Sequence, residues 1–260
     1  MYIFLIIIVF IILSTFFVYF LLKNDRGAKE PVLALWTAAA FGVAGIIVAI
    51  FLESKLVPGN LLNDIGISGQ MFSDAMLIGV IEESCKFIPL AIFIYKRKYF
   101  NEHTDGIIYF AIAGLAFGLP ENILYTLSFG AKIGLTRIIL DTIFHASLTG
   151  IVGYFLANYK VEKKSPFRVI PFLIGAMILH GFYDFGLLSG NILLQTMSII
   201  ITLSLGVGLF YFYVKASDID QVEGLAAVGH NSFCRNCGYQ NPKHYLYCTK
   251  CGLRAQILTS

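Results

Sequence analysis

Apolar stretches of spanning length recur along this chain, and they decide what it can fold into. Seven are read at about 2–22, 31–52, 74–95, 107–129, 138–158, 169–188 and 191–214. A hydrocarbon core of roughly 30 Å is crossed by about 20 residues of helix. Composition agrees: 57% of the residues are hydrophobic and 13% charged, against about 25% charged in a soluble domain. The expected fold is an all-α polytopic membrane protein with about seven transmembrane helices. The first run lacks a positive n-region, and its apolar length exceeds a signal peptide's h-region, so it is expected to be an anchor.

Lysine and arginine set the expected orientation, because they accumulate in cytoplasmic loops. The loop after the first span holds Lys23, Arg26 and Lys29; the loop after the third holds Lys96, Arg97 and Lys98. The loop after the fifth holds Lys160, Lys163 and Lys164, with Arg168 at its end. The alternate loops carry only Lys55, Lys132 and Arg137. The odd loops and the C-terminus are therefore expected in the cytoplasm and the N-terminus outside. The net charge of +3 is a topology signal, and no nucleic-acid partner is expected.

Beyond Lys215 the composition shifts. Three units are expected: a membrane domain over 1–215, a small-residue linker over 216–232 and a metal-binding module over 233–254. In "FCRNCGYQNPKHYLYCTKCG", Cys234, Cys237, Cys248 and Cys251 form two C-x2-C pairs, each followed by glycine. That spacing lets both thiolates of a pair turn onto one tetrahedral ion. The expectation is a four-cysteine zinc ribbon with a structural zinc, held reduced in the cytoplasm and offering a surface to a cytosolic protein partner. His244 is expected at its surface and Cys85 as a small packing residue.

Ionisable residues within the spans are expensive, at roughly 2.5–3.5 kcal/mol each on insertion scales, and they concentrate. "IEESCK" carries Glu82, Glu83 and Lys86; "GLPEN" carries Glu121 and Asn122; "LDTIFH" carries Asp141 and His145; "HGFYD" carries His180 and Asp184. Lys86 lies four residues after Glu82 and three after Glu83, which permits an ion pair within one helix. His180 and Asp184 share a helical face. With the expected topology, Glu82, Glu83, Glu121, His145 and His180 fall at one depth, roughly 12–14 Å below the outer surface at 1.5 Å per residue. Packing contacts scattered at random would not align in this way.

The chemistry of such a set is water activation. Adjacent carboxylates in a low dielectric do not both ionise freely, and Lys86 steadies the remaining charge. The pair can take a proton from water, while a histidine polarises a carbonyl, or a His/Asp/Glu set holds a metal. Candidate ligands for an active-site metal are His145, His180, Asp184 and Glu121. Intramembrane acids and histidines also mark ion paths, so an ion- or proton-coupled transporter is the alternative class. No inverted repeat or ladder of polar residues supports it. A third reading is a silent scaffold that recruits a partner through the ribbon.

"EESCK" (E-E-x-x-K), "FGLPE" (F-x-x-x-E) and "HGFYD" (H-x-x-x-D), in that order, resemble the PrsW family of intramembrane proteases, related to type II CAAX prenyl endopeptidases. The resemblance spans about 31–214, and "FHASLTGIVGY" around His145 is similar to a family segment. It implies a catalytic set of Glu82, Glu83, Glu121 and His180, supported by Asp184 and His145; Lys86 and Asn122, beside these residues in the sequence, are expected to support them. It implies an endopeptidase that cleaves a single-pass membrane protein, typically an anti-sigma factor, near its extracytoplasmic side. Family members are often metalloproteases, whereas the related prenyl endopeptidases fit a metal-free glutamate mechanism.

Overall fold

A computed structural model describes residues 2–57 and 67–227, together with 237, 250 and 251. Seven long helices follow one another: α1 (Tyr2–Asn24), α2 (Val32–Leu56), α3 (Gly69–Phe93), α4 (His103–Phe129), α5 (Ala131–Val161), α6 (Ile170–Leu188) and α7 (Ile192–Ala227). A 3₁₀ turn, Pro166–Val169, leads into α6. Among the described residues, six helices are long and apolar enough to cross a membrane. The seventh, α3, has 25 residues but carries Asp74, Glu82, Glu83 and Lys86. It turns these four inward and presents Val80, Ile88 and Ile92 on its exposed side.

Local signals set the helix ends. The Ser68 hydroxyl accepts the Met71 N–H (3.0 Å) and starts α3. Glu102 and Asp105 form a reciprocal capping box at the start of α4. Gly130, at φ 85°, turns α4 into α5 within one residue, a backbone state glycine adopts without strain. Consequently α5 starts about two turns before the span read from sequence, and Arg137 lies inside it. At the other end α7 runs on to Ala227, through residues read as linker.

The basic loops gather at one end of the bundle. Arg26 pairs with Asp218 (2.6 Å). The Ala28 N–H donates to the Glu102 carboxylate (2.9 Å), and Lys160 donates to the carbonyls of Tyr95 and Arg97. Asp220 of α7 caps α4, accepting the N–H groups of His103 and Thr104 at 2.8 Å each. It also meets the His103 ring and accepts the Thr104 hydroxyl. The loops after α1, α3 and α5 and the end of α7 therefore share a side, as strict alternation of the helices requires. The helices α4 and α5 form the centre, with 72% of each span buried against 11% for α1. Their close crossing depends on Gly106 meeting Gly153, where a side chain on either would strike backbone.

The zinc ribbon expected over 233–254 is corrected. A ribbon is built on paired strands, and among the described residues every regular element is helical, with no β-strand. Cys237 and Cys251 sit in turns, while Cys234 and Cys248 lie outside the described residues. Among the described residues the fold class is all-α with no ribbon module, and the structural zinc and ribbon-borne partner expected from it are withdrawn. The count of about seven spans becomes six by length and apolarity.

Two consequences follow for stability. Asp220→Ala strands several buried donors at once and is expected to cost about 2–4 kcal/mol, read as a lowered melting temperature in detergent. Burial pushes the Glu102 carboxyl up from 4.5 to about 8, against the pull of the Ala28 N–H and with repulsion from Asp105, Asp220 and Asp25. A raised carboxyl favours the fold fully below about pH 4.5 and loses that contribution as pH rises through about 8. Melting temperature should therefore fall across this window, and less steeply in Glu102→Gln; equal slopes would refute the assignment.

Candidate active site

Four helices deliver the polar residues singled out in the sequence to one enclosed chamber. Glu82, Glu83 and Lys86 come from α3, Glu121 and Asn122 from α4, His145 from α5, and His180 and Asp184 from α6; all are buried. These side chains meet one another in the structure.

Lys86 is the hub. Its ammonium donates to Glu82 Oε2 (3.1 Å), Glu83 Oε1 (2.9 Å) and His145 Nδ1 (2.8 Å). It also stands 4.0 Å over the Phe117 ring. An ammonium offers protons and no lone pair, so His145 Nδ1 is the acceptor and the ring proton belongs on Nε2. That nitrogen lies 2.7 Å from Glu121 Oε2 and donates to it. The geometry thus fixes the His145 tautomer from both sides.

A second network holds Glu121. Its Oε1 accepts from Arg137 Nη2 (2.6 Å), which also reaches Asp141 Oδ1 (3.0 Å). The Arg137 guanidinium lies 3.7 Å from the centre of the Tyr125 ring. Asn122 Nδ2 donates to Asp141 Oδ2 (2.7 Å) and to the Gly118 carbonyl (2.9 Å). A Cβ at Gly118 would lie 3.0 Å from His145 Cδ2 and 3.3 Å from Asp141 Oδ2, so a side chain there would press on both groups. Although Pro120 lies one residue before Glu121, α4 remains a single helix through it.

His180 forms the third corner. Its Nδ1 donates to Glu83 Oε1 (2.8 Å). Its Nε2 faces two carboxylate oxygens, Asp184 Oδ2 at 3.4 Å and Glu82 Oε2 at 3.5 Å. Phe144 stacks on Tyr183 at 3.9 Å and meets the His180 ring edge-on at 5.3 Å, which fixes the imidazole plane.

The donors fit a metal. Glu82, His145 and His180 bring ligand atoms within 4.8 Å of one another, and so do Glu121, Asp141 and His145. His180 Nε2 faces two carboxylate oxygens, an arrangement that either a proton or a metal ion between them satisfies. The separations of 3.4 and 3.5 Å match two ligands each about 2.0–2.2 Å from one tetrahedral ion. Glu83 on the other ring nitrogen is the kind of partner that orients a ligating histidine. The four ligands expected from sequence, His145, His180, Asp184 and Glu121, therefore do not form one group. Glu121 belongs with Asp141 beside His145, whereas Asp184 faces His180.

Sequence reasoning missed two residues. Arg137 was assigned to a loop, although its place four residues before Asp141 signals an ion pair on one helix face. Glu53 near the end of α2 passed unremarked. It lies in electrostatic reach of Glu82, Glu121, Asp184 and His180, and its Oε1 is buried without a partner. A carboxylate in the last turn of a span reads as an interfacial residue, so no local signal exposed it.

Comparison with known proteins gives a consistent result. The family described as "PrsW family intramembrane metalloprotease" matches residues 30–216. Protease PrsW of Bacillus subtilis (strain 168) is 33% identical over 169 residues, covering 64% of this chain and 75% of the relative. Protease PrsW of Geobacillus kaustophilus (strain HTA426) is 32% identical over 174 residues, 66% of this chain and 74% of the relative. That of Clostridioides difficile (strain 630) is 29% identical over 171 residues, 63% and 71%. No solved structure matches at the same level of significance.

The Arg137 network makes a stability prediction. Arg137→Gln leaves two buried carboxylates without their counter-charge and is expected to destabilise by about 3–5 kcal/mol. Asn122→Ala removes one donor from Asp141 and should cost about 1–3 kcal/mol. Thermal unfolding in detergent reads both; an Arg137→Gln chain as stable as the parent would contradict the network.

Proposed function

The chain belongs to the PrsW family of intramembrane metalloproteases, and from that premise we propose that Glu83 is its general base and that Glu82, His180 and Asp184 hold its metal. The enzyme works within the bilayer on a membrane-embedded protein. We assign as substrate a single-pass regulator, such as an anti-sigma factor, and residues 1–215 as the unit that cleaves it. The observation that carries this reading is His180, fixed by Glu83 through one nitrogen and facing Glu82 and Asp184 with the other.

Glu83 suits the base because both of its described hydrogen bonds fall on Oε1, leaving Oε2 uncommitted beside the donor set. The carboxylate takes a proton from the attacking water and returns it to the amide nitrogen as the C–N bond breaks. Lys86 keeps the adjacent carboxylates together through this cycle. Glu121, held by Arg137, fixes the His145 ring, which in turn accepts from Lys86 and keeps the ammonium in place. Held by Glu82, His180 and Asp184, a divalent ion would supply an acidified water and a polarising charge for the scissile carbonyl, the latter a role the sequence suggested for a histidine. Exclusion of bulk water strengthens each of these interactions.

The orientation we assign puts the gathered basic loops in the cytoplasm and the N-terminus outside, in keeping with the positive-inside rule. His180 and Glu121 each lie eight residues from the opposite end of their helices. That is roughly 12 Å of rise, which supports cleavage in the outer half of the bilayer.

The test is reconstitution of the full chain in liposomes with single-pass membrane proteins from a bacterial membrane, with new N-termini read by mass spectrometry. Glu83→Gln keeps an acceptor for Lys86 and His180 and is expected to slow cleavage by about 10²–10⁴-fold. An unchanged rate would sink the role of Glu83. Elemental analysis should find one divalent ion fewer per chain in His180→Ala than in the parent; equal metal content would sink the ligand assignment.

A further inference from the structure

Tyr183 stands on α6 three residues after His180 and one before Asp184, and it is fully buried. Its hydroxyl makes no hydrogen bond, although the charges of Asp141, Arg137, Asp184 and Glu121 all act on it. Buried hydroxyls are as a rule paired. This one is set among the charged groups of α4, α5 and α6 without being spent on any of their carboxylates.

The ring is held in place. It stacks on Phe144, with centroids 3.9 Å apart and planes 12° from parallel. Phe144 in turn meets the His145 and His180 rings edge-on. The Tyr183 carbonyl accepts the Ser198 hydroxyl (3.1 Å), which ties this turn of α6 to α7. Only the hydroxyl hydrogen keeps freedom, by turning about its C–O bond. Arg137 carries a second unspent donor: its Nε is buried without a partner, while Nη2 serves Glu121 and Asp141. The guanidinium and the Tyr183 hydroxyl lie in electrostatic reach of each other. Two unspent donors, one of them charged, suit an oxygen that carries negative charge.

Peptide hydrolysis creates such an oxygen. As the water oxygen bonds to the scissile carbon and its proton passes to Glu83, the π electrons of the carbonyl move onto its oxygen. The carboxylates of Glu82, Glu121, Asp141 and Asp184 oppose that new charge, so a donor fixed in advance is worth most here. On collapse the C=O bond re-forms, the C–N bond breaks and Glu83 returns its proton to the nitrogen. We propose that Tyr183 is a catalytic residue whose hydroxyl donates a hydrogen bond to the oxyanion of this tetrahedral intermediate. Tyr183 keeps its own proton throughout. The proposal rests on the proteolytic reading and adds to it the group that receives the developing charge.

Tyr183→Phe removes the hydroxyl and keeps the ring on Phe144. The full chain in liposomes is given the purified single-pass protein that yields the strongest new N-terminus in the reconstitution above. The variant's kcat is expected to fall by about 10²-fold, as for loss of one oxyanion donor. KM should stay within about twofold, because the bond is made only in the transition state. The second probe is a peptide of the same cleavage site with a phosphinate (PO2–CH2) in place of the scissile amide. Its Kd should rise by about tenfold in Tyr183→Phe, while the unmodified peptide, bound to Glu83→Gln chains with and without Tyr183→Phe, should show no change. Melting temperature in detergent should not fall, since no hydrogen bond within the fold is lost. A lower melting temperature, or less metal per chain than the parent, would make the hydroxyl structural and overturn the proposal. Equal phosphinate affinity in the two chains would overturn it as well. A parent that produces no new N-terminus sinks the proteolytic reading and this role with it. A cleaving parent matched by Tyr183→Phe sinks this role alone.

Discussion

The ammonium of Lys86 holds this molecule's interior together. Its three donors go to Glu82, Glu83 and His145, and its charge rests against the Phe117 face. A lysine with no accessible side-chain surface is tolerable only if every donor is met and its charge is answered nearby. Here the partners include the groups the chemistry needs. The same contacts that make Lys86 affordable fix two carboxylates and the tautomer of His145, so the fold and the site share one set of interactions. Two helices are joined by them, because Glu82, Glu83 and Lys86 stand on α3 while His145 stands on α5.

Much of this was legible in the sequence. The spacing of Glu82, Glu83 and Lys86 announced the ion pair within α3, and the four-residue step from His180 to Asp184 announced their shared face. Helix existence followed from apolar length, and the grouping of basic loops from their lysines and arginines. What was not legible depended on which way a charge turns. Arg137 and Glu53 lie near the ends of apolar runs, where a charge normally reaches toward water. The one-residue turn at Gly130 draws Arg137 into α5, and tertiary packing turns Glu53 inward. Neither event has a local code. The cysteine pairs misled in the opposite direction: their spacing is specific for thiolate ligation, but spacing does not provide the strands of a ribbon.

The crossing of α4 and α5 explains how so many charges can meet. Glycines at 106, 114, 118 and 153 remove side chains where the two backbones approach. Close backbones shorten the reach from Glu121 to His145 and from Asn122 to Asp141, so short hydrogen bonds replace hydration. A bulkier residue at Gly118 would push the His145 ring off Glu121. The small residues are therefore part of the site as well as of the packing.

The charge balance of the chamber points the same way as the donor geometry. Glu82, Glu83, Glu121, Asp141 and Asp184 bring five carboxylates, and only Lys86 and Arg137 bring permanent positive charge. Both cations are already committed, Lys86 on the Glu82 and Glu83 side and Arg137 on the Glu121 and Asp141 side. Asp184 Oδ2 and Glu82 Oε2, the latter shared with Lys86, both face the same nitrogen of His180. In a low dielectric such a surplus is met by protons or by a metal ion. Protons alone would leave the carboxyls neutral and unfit to pull a proton from water. A divalent ion at His180 would answer the surplus and leave Glu83 anionic, the state that the proposed base requires. The need for a counter-ion and the need for an activated water thus fall at one point in the fold, between α3 and α6.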